Sequence, residues 1–518
     1  MEIEFKFHIP AERLKAVESA VRRAPVQRTR LQARYFDTAD GTLAAHGAVL
    51  RLRKEGRRWV QTAKALGDGP LHRLEHNVDL GLARAGDASV PDPGRHAGTP
   101  VGERLAALLA KADQPLQPTY GTDIWRLTRQ LRSGSTVVEL ALDTGTITAH
   151  PPGIAAPRTA AVCELELELV RGPVEGLVAL AQRWSRTHRL WFSTVSKAEC
   201  GERLLAGTGT GTVPAVKAAP PRFGEGEQGF PDGPALQRAV LASCLAQILP
   251  NASEIAAGSE DAEQLHQLRI GIRRLRTALR TLEALGPGFD PAWTPPLVAV
   301  FQALGARRDA ELQQQSLALP LHEAGVPPIA WPADQADAPA PGDAVRAAAF
   351  QAALVGLIGF TAQALTRGAD APPPEGATPA EARRQVRALL RKLHARVVRD
   401  GEHFASLDAE ARHAVRKRLK RLRYLAEFVA PLFGPKRAER YLRRLGPAQD
   451  ALGWFQDEQV ALESCFEAAE GATPEEAPPL WFAIGWLSAR QPEGVRSSGK
   501  ALRQVDKARP FWRKRAKG

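Results

Sequence analysis

Cysteine is scarce in this chain of 518 residues: there are four, Cys163, Cys200, Cys244 and Cys465, and no Cys-x-x-Cys pair. Such spacing offers neither a disulfide framework nor a sulfur-rich zinc site, and it points to a reducing compartment. Aromatic residues make up only 6% of the chain and are not interleaved with the charge, which weighs against a reader of single-stranded nucleic acid. No stretch approaches about 18 uninterrupted apolar residues, and no basic start with an apolar run precedes the first strand-like segment. Neither a membrane span nor a signal peptide is expected, and the expected location is the cytoplasm.

What the chain does have is length, apolar residues and positive charge. Hydrophobic residues make up 44%, ample for burial, and roughly two to four domains are expected at this length. Seventy Lys and Arg stand against 57 Asp and Glu, a net charge of +13 that favours a polyanionic partner.

The first third reads as alternating strands. In an extended chain, residues two apart share a face, so Glu2, Glu4 and Lys6 fall on one side of the first strand and Ile3, Phe5 and Phe7 on the other. The same alternation recurs at Val49–Arg53, Val138–Asp143 and Cys163–Glu168, and less cleanly at Trp59–Lys64. A lone strand of this kind has its charged face in water. Several, with mixed signs, suit a closed antiparallel barrel with a polar lumen built for a charged guest. Helices are expected over 10–24, 101–112, 174–187 and from Lys197 to about Ala206, with hairpin turns near Gly56 and Gly134.

Residues 207–233 are rich in glycine and proline without apolar periodicity and read as a linker, equally compatible with tethering and with docking. Beyond it helical spacing dominates, and the pattern repeats. His266, Arg269, Arg273, Arg274 and Arg276 match His413, Arg416, Lys420, Arg421 and Arg423 at identical offsets, and Leu304-Gly305-x-x-x-Asp309 matches Leu452-Gly453-x-x-x-Asp457. Two superposable units follow, at about 234–380 and 381–518, related by a pseudo-twofold axis. On a helical wheel His266, Arg269, Arg273, Arg276 and Arg280 occupy one quadrant opposite Leu268, Ile272, Leu275 and Leu279. Like charges at i and i+4 repel by roughly 0.2–0.5 kcal/mol per pair, so a purely basic stripe that occurs twice reads as a binding face. The stretch from Arg383 to Arg423 carries 14 Lys and Arg against four acids, and Arg440 and Arg444 continue it. Trp481, Trp486 and Trp512 are expected in the core.

Residues 1–206 resemble the CYTH family of triphosphate tunnel enzymes. Glu2, Glu4 and Lys6 form its ExExK signature; Tyr35-Phe36-Asp37-Thr38, Arg51 with Arg53, Thr62-x-Lys64, Arg73-x-Glu75, Arg126, Glu139 with Asp143, the Glu164/Glu166/Glu168 series and Ser196-Lys197 follow in order. Thr128 departs from the pattern, where relatives often carry a second basic residue. Residues 234–518 resemble the CHAD domain, on the two His-x-x-Arg copies and the two Leu-Gly-x-x-x-Asp segments.

The resemblance implies an α+β arrangement: a closed antiparallel eight-stranded β-barrel over 1–206, then an all-α helical bundle with an internal twofold repeat. It implies a hydrolase that cleaves inorganic triphosphate to pyrophosphate and phosphate with Mg²⁺ or Mn²⁺. Lys6, Arg51, Arg53, Lys64, Arg73, Arg126 and Lys197 would bind substrate, and Glu2, Glu4, Glu75, Asp143, Glu164, Glu166 and Glu168 would be metal ligands, with Glu168 equally suited to a salt bridge. Lys197, Glu4 and Glu166 would be catalytic. For the helical half it implies polyphosphate binding through His266, Arg269, Arg273, Arg274, Arg276, His413, Arg416, Lys417, Lys420, Arg421, Arg423, Arg440 and Arg444, and hence an association with polyphosphate granules. The alternatives are a hydrolase or cyclase of an organic triphosphate such as thiamine triphosphate or ATP, and a non-catalytic polyphosphate-granule scaffold.

Overall fold

The computed structural model describes residues 3–69, 72–82, 90–151, 153, 154, 156–208, 213–223, 229–325, 329, 339–365 and 375–513, with the side chains of 66–69, 72, 73 and 306–320 outside that description. The strand-rich half runs β1 (Glu4–His8), α1 (Leu14–Val21), β2 (Gln27–Asp37), α2 (Thr42–Ala45), β3 (Ala48–Glu55), β4 (Arg58–Gly69), β5 (His72–Leu82), α3 (Pro100–Ala112), β6 (Gln117–Ser133), β7 (Thr136–Ala149), β8 (Arg158–Arg171), α4 (Val174–His188), β9 (Trp191–Phe192) and α5 (Lys197–Ala206). Gly56 and Gly134 turn their hairpins at φ of 57° and 58°, in the left-handed region that glycine occupies without strain.

Among the described residues the strands form one antiparallel sheet of nine, in the order β5-β4-β3-β2-β6-β7-β8-β1-β9. This corrects the expected closed eight-stranded barrel: the sheet has one strand more and two edges that do not pair with each other. β9 is two residues long and the chain leaves it for α5, so no ladder bridges from that edge to β5. The sheet still curls, and it brings Glu75 of β5 within electrostatic reach of Glu168 of β8.

The outer face is apolar as the alternation requires. Phe5, Phe7, Leu140, Leu142, Leu165 and Leu167 are buried there, together with Leu177, Leu180, Ala181 and Trp184 of α4. Full burial of each large apolar side chain is worth about 1.5–3 kcal/mol, so the same alternation that buries these residues turns Lys6, Asp143 and Glu166 inward.

The helical half comprises α6 (Gly233–Ala256), α7 (Ala262–Leu282), α8 (Thr294–Glu323), α9 (Pro341–Arg346), α10 (Ala348–Ala362), α11 (Pro379–Glu402), α12 (Ala409–Val429), α13 (Pro435–Glu470) and α14 (Ala477–Val505). The internal repeat extends to helix starts: α7 and α12 are both 21 residues long, and Asp261 and Asp408 cap them by accepting from the backbone N–H groups of Gln264 and Ala411. Two helical stretches, Gly233–Ala256 and Ala348–Leu365, are long and apolar enough to cross a membrane, but 78% and 56% of their apolar windows are buried inside the protein, as core helices. Trp512 is buried as expected, whereas Trp481 is 56% exposed on α14.

The two halves share one apolar core. α4 packs on α10, where Gly359 lies so close that a Cβ would meet Val178 Cγ2 at 2.2 Å. Gln182 donates to the Ala352 carbonyl at 2.9 Å, the Phe192 N–H to Gln351 Oε1 at 2.8 Å and the Thr194 N–H to Ser253 Oγ at 3.1 Å, while Arg203 pairs with Glu254 at 2.7 Å. The described linker stretch 213–223 is docked too: Asn251 exchanges two hydrogen bonds with the Val216 backbone, at 2.9 and 3.1 Å, and Gln264 and Ser243 donate to the carbonyls of Val213 and Ala219.

Candidate active site

Strand register arranges the inward face of the sheet in rows. Across β6, β7, β8 and β1, one row runs Arg126, Asp143, Glu164, His8; the next Thr128, Ala141, Glu166, Lys6; the third Gln130, Glu139, Glu168, Glu4. Residues directly opposite in a ladder share a face, so a sequence that alternates correctly on four strands stacks its charges into one hollow.

The first two rows hold a dense ion cluster. Arg126 grips Asp143 through two bonds of 2.7 and 2.6 Å and reaches Glu166 at 2.5 Å. Lys197, at the start of α5, places its ammonium 2.9 Å from Asp143, 2.7 Å from Glu164 and 2.8 Å from Glu166. Ser196 fixes that lysine's helix with a capping box, Ser196 Oγ accepting from the Glu199 N–H and Glu199 accepting from the Ser196 N–H. Burial alone would raise the Glu166 and Asp143 carboxyls, but Lys197 and Arg126 override it, holding Asp143 below and Glu166 well below the usual range. The third row behaves oppositely: burial, then Glu4, Glu139, Glu166 and Glu75, push Glu168 up.

The facing side of the hollow supplies further cations. Arg51 is hydrogen-bonded to Tyr35 and lies near Glu75, Arg53 donates to Glu55 at 2.7 Å and Lys64 pairs with Glu75, while Lys6, in the second row across the hollow, donates to the Val195 carbonyl. All of these except Glu55 and Val195 line a cavity of about 870 Å³ with Glu4, Glu166 and Glu168.

A second cationic feature lies between the helical repeats. Lys420 of α12 is pushed down to about 7 by burial and by Arg273, Arg416 and Arg269, with Asp457 opposing. Arg269 and Arg273 of α7 also lie over the Phe301 ring at 5.1 and 5.7 Å, and burial, then Arg280, lowers both Arg276 and Arg421. The two basic stripes therefore come together where α7 meets α12. Arg274 is turned away: it is buried, stacks 5.0 Å from Phe428 and pairs with Glu427, which also accepts from Arg423 at 2.7 Å. His413 contacts Gln456 Oε1 at 2.7 Å beside Arg416, in a smaller cavity of about 280 Å³.

A CYTH family model matches residues 1–201 and a CHAD model matches residues 239–465. The chain is a CYTH domain followed by a CHAD domain. A curated relative from Haemophilus influenzae, named inorganic triphosphatase, is 28% identical over 176 residues, which cover 33% of this chain and 44% of the relative. Among solved structures, the CHAD domain from the plant Ricinus communis is 25% identical with a TM-score of 0.39, over 55% of this chain and 96% of that one. A protein from Hippeastrum, described as a putative adenylyl cyclase with a dominant triphosphatase activity, is 18% identical with a TM-score of 0.29, over 40% of this chain and 97% of that one.

In the CYTH domain, Lys6, Arg51, Arg53, Lys64, Arg126, Lys197, Glu4, Glu75, Asp143, Glu166 and Glu168 are all brought to the one cavity, with Glu164 beside it through Lys197. Glu2 and the Arg73 side chain lie outside the described residues. Carboxylate oxygens of Asp143, Glu164 and Glu166 come within 4.8 Å of one another, a spacing that suits a metal ion, but the Lys197 ammonium already sits among them. Glu168, pushed up by burial and then by Glu4 and Glu139, forms with them a set of carboxylate oxygens that suits a hard divalent cation, so the residues present fit Mg²⁺ or Mn²⁺. Asp37 of the Tyr-Phe-Asp-Thr segment is structural: its carboxylate accepts from the backbone N–H groups of Thr38, Leu43 and Ala44.

Among the further residues lining the cavity are Tyr35, to which the Tyr-Phe-Asp-Thr segment assigned no role, and Glu202. Tyr35 faces Arg51 across β2 and β3, which its place two residues from Ala33 and four from Leu31 on the inner face could have indicated. Glu202, pushed up to about 7 by burial and by Glu199 and Asp37, carried no signal beyond its helical distance from Lys197. In the CHAD domain, Lys417, Arg440 and Arg444 are exposed on α12 and α13, while Asp309 lies outside the described side chains.

Proposed function

We propose that the CYTH domain hydrolyses inorganic triphosphate to pyrophosphate and phosphate with the help of Mg²⁺ or Mn²⁺, and that the CHAD domain binds polyphosphate in the groove between α7 and α12. The observation that carries this reading is the single hollow in which Lys6, Arg51, Arg53, Lys64 and Arg126 face the carboxylates of Glu4, Glu166 and Glu168. Arginine forks and lysine ammoniums hold phosphoryl oxygens; carboxylates would repel them and belong to a cation. A bound divalent ion supplies charge neutralisation and an activated water. Glu4 and Glu168, with Glu2 as an expected third, would hold it. Lys197, tied to Glu166, keeps that carboxylate ionised and delivers a positive charge beside the reacting phosphoryl group.

The 28% identity to a protein named inorganic triphosphatase supports this chemistry. We place the protein in the cytoplasm, where the groove would hold it on polyphosphate granules. Phosphate release from tripolyphosphate, ATP and thiamine triphosphate, each with and without Mg²⁺, tests the activity. Metal-dependent turnover highest on tripolyphosphate is expected; preference for ATP or thiamine triphosphate would replace inorganic triphosphate as the substrate, and no turnover on any would leave a polyphosphate-binding scaffold.

A further inference from the structure

The cavity does not end where the cations end. Past α5 it continues into a vestibule whose far wall is α6 of the CHAD domain and the docked linker segment 213–222. Val213, Val216 and Pro220 of the segment, lying over the buried Leu245 and Leu249 of α6, make that wall apolar. Its carboxylates are Glu199, Glu202 and Glu254, against Arg222 and an Arg203 already held by Glu254 at 2.7 Å. The cavity thus has a cationic section and an apolar, acid-fringed section, the second built largely by residues outside the CYTH domain.

We propose that this wall sets the chain length of the substrate: the CHAD domain and the docked segment reject phosphate chains that extend past the cationic section, so that the tunnel acts on short chains while the basic groove holds long ones. The proposal rests on the triphosphatase reading above. A polyphosphate chain carries about one negative charge per phosphate and gains from each only where a donor meets it. Within the cationic section Lys6, Arg51, Arg53, Lys64 and Arg126 meet it; further along, the chain would lose hydration to valine and proline side chains and face carboxylates of its own sign. Asn251, Gln264 and Ser243 hold the segment in place through its backbone, so the wall depends on a few identifiable side chains.

The test uses the full chain and two variants, Glu202→Gln to remove a charge from the wall and Asn251→Ala/Gln264→Ala to release the segment, with release checked by proteolysis within 213–222. Hydrolysis of tripolyphosphate and of long-chain polyphosphate is compared with Mg²⁺ at a pH well above 7, where Glu202 is ionised. The expected result is wild-type preference for tripolyphosphate, with the long-to-short ratio of kcat/KM rising by roughly threefold or more in each variant and tripolyphosphate turnover held within about twofold. A wild-type chain that hydrolyses both lengths equally, or a ratio unchanged in both variants, overturns the wall alone. Failure of the wild-type chain to hydrolyse tripolyphosphate overturns the function proposed above and the wall with it.

Discussion

The tunnel and the groove both concentrate lysine and arginine, but they manage the charge differently. In the tunnel nearly every cation has an acid beside it: Arg126 has Asp143 and Glu166, Lys197 has three carboxylates, Lys64 has Glu75. In the groove the cations are packed against one another, and burial with neighbouring arginines pushes Lys420 down to about 7. Compensated charge keeps its protonation state fixed over a wide pH range, which suits a site that must hold both a cation and an anion. Cations crowded against one another favour a polyanion, and that preference is sensitive to salt and to pH.

The sharpest way to break this comparison is Glu4→Gln. Hydrolysis of tripolyphosphate is expected to fall by about 10²–10³-fold, while long-chain polyphosphate binding, measured by calorimetry, stays unchanged. Loss of both together would mean that the halves form a single ligand site. Next in size is Glu427→Ala, which leaves the buried Arg274 guanidinium without its acid; a loss of about 3 kcal/mol in unfolding free energy is expected in denaturant titration, larger than for removing an exposed pair such as Arg496 with Glu493.

A smaller effect concerns pH in the groove. Lys420 is neutral above about 7 in the free protein and must take up a proton to meet a polyanion, so polyphosphate affinity is expected to fall as pH rises from 7 toward the ordinary lysine range. Lys420→Arg should flatten that dependence, and an unchanged slope would remove Lys420 from the binding face. The smallest effect is at Glu202. Its folded value of about 7 lies above the ordinary carboxylate value, so the folded state binds the proton more tightly. The stability this gives is fully present below the ordinary value, declines as pH rises and is lost above about 7. Thermal melts of Glu202→Gln should lack that decline.

Much of this architecture was legible in the sequence because the strand period is short and strict. Alternation at Glu4 and Lys6, at Arg51 and Arg53, and at Glu164, Glu166 and Glu168 fixes which side chains point inward, and the outward partners fix it again by their burial. The repeat was legible for a similar reason, since identical offsets from His266 and His413 continue to the capping aspartates. Closure was not. Whether the edge strand β9 reaches β5 depends on the length of β9 and the angle at which α5 leaves it, and neither has a local pattern. The helical wheel leaves Arg274 out of the basic quadrant while the repeat match keeps it in the set, and the structure sides with the wheel: a single step along the chain separates Arg273 from an arginine that a distant Glu427 draws into the core. The linker's docking was equally hidden, because Asn251 holds backbone atoms, and backbone atoms are the same in every sequence.

The close seating of Gly359 against Val178 carries a consequence for how such tandem proteins can be rebuilt. The Val178 side chain fills the space that a side chain at position 359 would need, so the seat is cut to one counterpart and even a methyl group there would collide with the valine. Another helical module grafted behind this sheet would have to bring its own gap at that point, or have α4 recarved to receive it. The pair is thus inherited as a matched set, in which neither half is an interchangeable part.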